Sequence, residues 1–444
     1  MTSPKYLFIG PIVQTIKSGA SIELQIIEKA GIVVQDGQIL EIINRPNKSE
    51  IKADNITILE KGQFFTPGFI DCHVHAVQLP NIGLGYDKSL LDWLEAYTFP
   101  LELQFSDNSF AEKVFEAVVI YLSRIFKQKR TLSLGTTTAC YFASLYNEAS
   151  LILAEKAVKY HQRAFVGKLN MDRVRDDDYY ERTDISVDNT RKFIDDVYKL
   201  KSSLVNPVIT PRFALSCSMK LLKHLGEIAK ENNLLVQTHV CENTGEIEEC
   251  KSLFPDCPTY MSVYEQANLL TNKTVLAHGV FLEDSELKIL AKHNSSIIHC
   301  PSSNTFLRSG LCDIQRLRRN NITVGLGTDV AGGNFMCMLD VMRSALEVSN
   351  HIGFIQGDSY KPIDFVDAFY LATLGGAEAL SIDSQVGNLI AGKKFDALVI
   401  DLQAKDSPLD NLKNLTLKEQ LQRLIYSGDD RNIVNVYVEG HKVK

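Results

Sequence analysis

The feature that most limits the fold is a change of period at Pro67. From there, short apolar runs rich in β-branched residues alternate with longer stretches whose apolar residues recur at helical spacing. A period of two and a period of 3.6 bury different sets of side chains, so the two kinds of run cannot exchange places. The short runs read as strands at Phe69–Val74, Thr136–Phe142, Ala164–Asn170, Val208–Leu215, Leu234–His239, Thr274–His278, Ser295–His299 and Ile322–Gly327. Helical stretches lie between them, among them Ser109–Phe126, Ser150–His161 and Met219–Glu231. Eight such alternations predict a closed (β/α)8 barrel, with an open doubly wound sheet as the alternative.

Both ends of the chain read differently. Gly31–Val34 and Gln38–Ile43 flank Asp36-Gly37, a type I′ hairpin signal. Phe395–Asp401 and Ile433–Val438 alternate as strands near the other end. Strand-rich ends around a different middle predict one small β-sandwich domain built from residues 1–65 and 385–444. Residues 66–384 form the barrel domain.

Composition excludes several classes. The 444 residues carry 47 Lys and Arg against 54 Asp and Glu, a net charge of −7. That balance argues against nucleic acid or an anionic membrane as partner. No apolar run approaches the roughly 20 residues of a membrane helix. The first residues lead into an apolar run broken by Gly10 and Pro11, which reads as neither signal peptide nor anchor. Nine cysteines, irregularly spaced and without a C-x-x-C pair, predict reduced thiols and a cytoplasmic protein.

The chemistry sits where strands end. The first barrel strand finishes in His73-Val74-His75, the fifth in His239, the sixth in His278, and the eighth runs into Asp329. Two residues apart on a strand share a face, so His73 and His75 both point into the barrel mouth. In this fold the C-terminal strand ends form the active-site face. Neutral imidazoles with one carboxylate suit Zn2+, one ion per chain, and less decisively iron. His73, His75, His239 and Asp329 are the expected ligands, with His278 hydrogen-bonded to a bound water. Strand four carries no Lys to bridge two metals, which points to a single ion.

Further polar residues flank this set. Glu242, three residues past His239, is placed to shuttle protons as a general acid and base. Arg212 offers a fork for a carbonyl or carboxylate, and Phe213 a face for a flat ring. Lys168 ends strand three, with a structural role as open as a functional one. Gly387–Lys393 fits most of a phosphate-binding loop, but Lys394 stands where Ser or Thr is needed, and no helix is expected to follow.

Residues 67–75, the His239 and His278 strand ends and Gly327-Thr328-Asp329 resemble the amidohydrolase superfamily. Within it the chain is similar to the guanine deaminase group. The marks are His75-Ala76-Val77-Gln78, the run Leu90–Glu102 around the only Trp, Thr210–Ala214, His239–Asn243, His299–Asn304 and Gly325–Gly333. Cys241 and Leu79 depart from that group's usual pattern. The resemblance implies hydrolysis of guanine to xanthine and ammonia in purine metabolism, in a homodimer. It assigns catalysis to Glu242, His278 and Asp329. It assigns substrate binding to His75, Ala76, Val77, Gln78, Arg212, Phe213, His239, Glu242 and Asp329. It suggests that Leu90–Phe99 helps cover the site. Other readings stay open at this point: a deaminase of a nucleoside, a hydrolase of a triazine-like ring, or a non-catalytic scaffold.

Overall fold

The computed structural model describes residues 3–19, 21–47, 51–119, 121–122, 127–128, 130–410 and 412–444. Eight parallel strands form the expected barrel. They are β1 (Phe69–His75), β2 (Thr136–Phe142), β3 (Arg163–Gly167), β4 (Val205–Pro211), β5 (Leu235–Val240), β6 (Thr274–His278), β7 (Ser296–His299) and β8 (Val324–Leu326). Each pairs with its sequence neighbour. The ring closes just beyond β8: the Asp329 amide donates to the His73 carbonyl at 2.9 Å, and the His75 amide donates to the Val330 carbonyl at 3.1 Å. Gly327 permits this approach, because a Cβ there would lie 2.8 Å from His73 Cβ. A closed ring replaces the open doubly wound sheet.

The C-terminal ends of two strands, β3 and β4, fall well short of expectation. β3 stops at Gly167, and Leu169–Asn170 pairs separately with β4. Between them the buried Lys168 amine turns to the Leu169 carbonyl and the Glu181 carboxylate, so Lys168 is a structural tie. β4 stops at Pro211, because Ala214–Ser216 coils into a 3-10 turn.

The helices pack outside the barrel for reasons visible in their residues. Met219–Asn232 starts where Ser218 Oγ accepts the Leu221 amide and stops at Asn233, whose φ is 54°. Leu221, Leu222, Leu225, Ile228 and Ala229 form its buried stripe. Cutting Leu225 to Ala would cost about 2–5 kcal/mol. The expected helix at Ser109–Phe126 runs over Asn108–Val119. Positions 120 and 123–126 of that expectation lie outside the described residues.

The termini pair in a second sheet. Its strands run in the order His441–Lys442, Ile433–Val438, Ala397–Asp401, Gln63–Pro67, Lys5–Ser18, Ser21–Gln35 and Gln38–Asn44, with Asn55–Ile58 also beside Lys5–Ser18. Asp36 (φ 51°) and Gly37 (φ 72°) are both left-handed, as a type I′ turn requires. Phe8, Phe65, Phe395 and Tyr437 fill this sheet's core, with Phe8 and Phe395 stacked at 4.5 Å. Arg163, at the N-terminal end of β3, pairs with Asp396 at 3.1 Å and Glu439 at 3.2 Å. The two sheets are thus joined at the barrel end opposite the histidines. Lys393 closes its own turn on the Val386 carbonyl and Asn388, so the phosphate-loop look-alike is a turn.

Candidate active site

Four imidazoles and a carboxylate converge at the C-terminal mouth of the barrel. His73 and His75 come from β1, His239 from β5, His278 from β6, and Asp329 from the segment after β8. All five are buried. His73 Nε2 lies 3.3 Å and His75 Nε2 3.4 Å from Asp329 Oδ1, and His75 Nε2 lies 3.0 Å from His239 Nε2. Ligand atoms around a tetrahedral ion with bonds near 2.1 Å sit about 3.4 Å apart, so this spacing is that of a coordination shell. One ligand atom from each of His73, His239, His278 and Asp329 lies within 4.8 Å of the others. His75 joins them through its contacts with His239 and Asp329.

Hydrogen bonds to the outer ring nitrogens decide what each imidazole offers. The Arg212 carbonyl accepts from His239 Nδ1, which leaves the Nε2 lone pair facing the cluster. Asn304 Oδ1 takes His278 Nδ1 at 2.8 Å. His278 Nε2 then faces Glu242 Oε2 at 3.4 Å and Asp329 Oδ2 at 3.8 Å. His73 Nε2, fully buried, has no hydrogen-bond partner among the described residues. An orphaned imidazole nitrogen aimed at a carboxylate fits an ion between them. Asp71 braces the floor by accepting from the Thr328 amide (3.0 Å) and hydroxyl (2.6 Å).

Electrostatics follow from burial. Burial pushes the pKa of His73 down, and those of His75 and His239 well down, so all three are held as neutral donors. Burial acts against His278 too, but the Glu242 and Asp329 carboxylates outweigh it and raise its pKa. Burial also acts against the Asp329 carboxylate, yet His73, His278 and His75 hold its pKa well below the usual range. Burial drives Glu242 up to about 7, helped by Glu246 and Asp329 and opposed by His278.

A cavity opens above the cluster. His75, Gln78, Arg212, Phe213, His239, Glu242, His278 and Asp329 line it. Ala76 and Val77 are buried in the turn between His75 and Gln78 and do not line it. The far wall is Leu90, Trp93 and Leu94. These belong to a continuous helical run, α-helical over Leu90–Trp93, π-helical over Leu94–Thr98 and α-helical over Phe99–Glu102. The π-turn stretches the inward spacing to five, so Trp93, Thr98 and Glu102 are all buried.

Sequence reasoning gave no role to three residues found here. Glu102 pairs bidentately with Arg212, at 2.5 and 3.2 Å. Asn304 holds His278, and Ser309 donates to Glu242 Oε1 at 3.0 Å. Glu102 and Asn304 lay inside runs noted for their resemblance; nothing in the sequence pointed to Ser309.

Residues 64–443 match the model of the amidohydrolase family. The chain belongs to the amidohydrolase family. Among amidohydrolases it is 44% identical to guanine deaminase of Dictyostelium discoideum over 389 residues, 87% of this chain and 84% of that one. It is 44% identical to human guanine deaminase over 398 residues, 88% of this chain and 85% of that one. Its fold superimposes on guanine deaminase from C. acetobutylicum, solved with guanine in its active site. The TM-score is 0.90 at 33% identity, covering 99% of this chain and 100% of that one.

Proposed function

We propose that this amidohydrolase is a guanine deaminase, converting guanine and water to xanthine and ammonia. One observation carries the reading: the Arg212–Gln78 edge and the proton-carrying pair Glu242–His278 line the same cavity over the ligand cluster. Two guanine deaminases, each 44% identical to this chain over the aligned residues, support the choice of substrate.

His73, His75, His239 and Asp329 would hold one zinc ion; iron is compatible with the same donors. When bound, such an ion brings the pKa of a water from about 15.7 towards 7, supplying a nucleophile at neutral pH. His278 and Asp329 orient that water, and His278 Nε2 is placed to hold its proton. Glu242, near pH 7 in both protonation states, passes a proton to ring N3 as the C2 carbon is attacked. The proton held by His278 reaches the amino group, which leaves as ammonia, and the hydroxyl proton at C2 returns to Glu242 as the new carbonyl forms. Arg212 and Gln78 bind the ring carbonyl and ring nitrogens, and Phe213 packs on the purine. Ala76 and Val77 act through the turn that aims His75 and Gln78.

The same proposal places the enzyme in purine metabolism, as a cytoplasmic homodimer with no nucleic-acid or membrane partner. Among the described residues no helix is long and apolar enough to cross a membrane. The division into residues 1–65, 66–384 and 385–444 is part of the proposal. The test is a spectroscopic assay of guanine loss and xanthine gain, with metal analysis of the same sample. Turnover with about one zinc per chain is the expected result. Full zinc occupancy without turnover of guanine would overturn the substrate.

A further inference from the structure

We infer that Glu102 sets the hydrogen-bonding polarity of the substrate edge, and with it the choice of a ring carbonyl over a ring amino group. The inference rests on the guanine reading and adds a positioning residue to it. Glu102 is fully buried and does not itself line the cavity. Four donors reach it: Arg212 Nη1 (2.5 Å) and Nη2 (3.2 Å), Gln78 Nε2 (3.0 Å) and the Tyr179 hydroxyl (2.8 Å). A carboxylate has about four lone-pair sites, so this one is saturated and accepts nothing from a ligand.

Saturation fixes its neighbours. The Gln78 amide is held between Glu102, which only accepts, and the Ala331 amide, which donates to Gln78 Oε1 at 3.1 Å. Neither contact survives a flip of the amide. The Arg212 guanidinium is held by its two bonds to Glu102 and lies over the Phe99 ring at 4.8 Å. Left over for a ligand are the spare N–H groups of Arg212 and the second N–H of Gln78 Nε2. This edge is rich in donors. A ring carbonyl satisfies it, whereas an amino group at the same position leaves buried donors unpaired.

Glu102→Gln keeps the shape and removes both the charge and the one-way acceptor. Its NH2 must then face one of the former donors, so a contact that holds Gln78 or Arg212 is lost and the edge no longer offers its donors in a fixed position. The test compares kcat and KM for guanine and for 2,6-diaminopurine, which carries an amino group in place of the carbonyl. The expected result is a preference for guanine that falls about tenfold or more in Glu102→Gln, carried by KM for guanine. Tyr179→Phe removes one donor, keeps the Arg212 pair, and shifts the same ratio in the same direction by less. It carries the test if the buried charge change prevents folding. Equal losses on both substrates, or an unchanged ratio, would reduce Glu102 to a structural role. If the unaltered enzyme leaves guanine intact, the functional reading falls instead.

Discussion

Ser309 donates its hydroxyl proton to Glu242 Oε1 at 3.0 Å, from a loop 67 residues further along the chain. A hydrogen bond to the charged form favours it, so this contact holds the Glu242 pKa below where burial alone would put it. Removing it must raise that pKa. Ser309→Ala is therefore expected to move the basic limb of the pH–rate profile, where Glu242 loses the proton that it passes to ring N3, to higher pH. A profile with an unmoved basic limb would separate Ser309 from the proton path.

Glu242 itself tests the same path more severely. Glu242→Gln keeps the volume of the side chain and removes its proton chemistry. The ligand cluster does not use it, so metal content should stay unchanged. Turnover should fall by about 10²–10⁴. Near-normal kcat in this variant would take Glu242 out of the mechanism.

These two residues show what the sequence made legible and what it hid. The barrel and its histidines were readable because a strand's period of two places His73 and His75 on one face. Glu242 was readable because it lies three residues past His239. Ser309 and Asn304 were not, because each reaches its partner from the segment after β7, far along the chain from that partner. Glu102 was hidden for the same reason: its ion-pair partner Arg212 lies 110 residues away. No local period encodes such a pairing. The end of β3 was misplaced because Lys168 turns out of the strand to reach Glu181.

The imidazole environment predicts how the metal responds to acid. An ordinary imidazole is half protonated near pH 6.5, where protons begin to displace a bound ion. Burial lowers the pKa of His73 and lowers those of His75 and His239 further. A lowered imidazole pKa favours the neutral, ligating form, so proton competition starts at lower pH. Dialysis at about pH 6 should leave the metal content equal to that at pH 8. Loss of half the metal already at pH 6 would contradict it.

Asp329 supplies the one carboxylate among the four proposed ligands. Asp329 Oδ1 lies within 3.4 Å of both β1 imidazole nitrogens. Asp329→Ala should lose both bound metal and activity. Its fold should persist, because the ring closes through the backbone amide of Asp329, which the substitution keeps. Elemental analysis decides the point, and full occupancy in the variant would exclude Asp329 as a ligand.

The only tryptophan offers a direct reading of the cavity. Trp93 lines it, is 2% exposed, and donates Nε1–H to the Leu84 carbonyl at 2.9 Å. Its helical run is pinned from outside by Arg175, which grips Glu95 at 2.9 and 2.8 Å and lies over Phe99 at 3.8 Å. Glu95 is largely exposed, so the pair adds less than about 1 kcal/mol to stability. Its effect should instead be on how firmly Trp93 is held. Guanine binding is expected to shift Trp93 emission in the unaltered protein. In Glu95→Gln the emission should already be red-shifted before ligand is added, with KM raised a few-fold and the melting temperature barely changed. Identical emission in the two proteins would show that Arg175 does not control this wall.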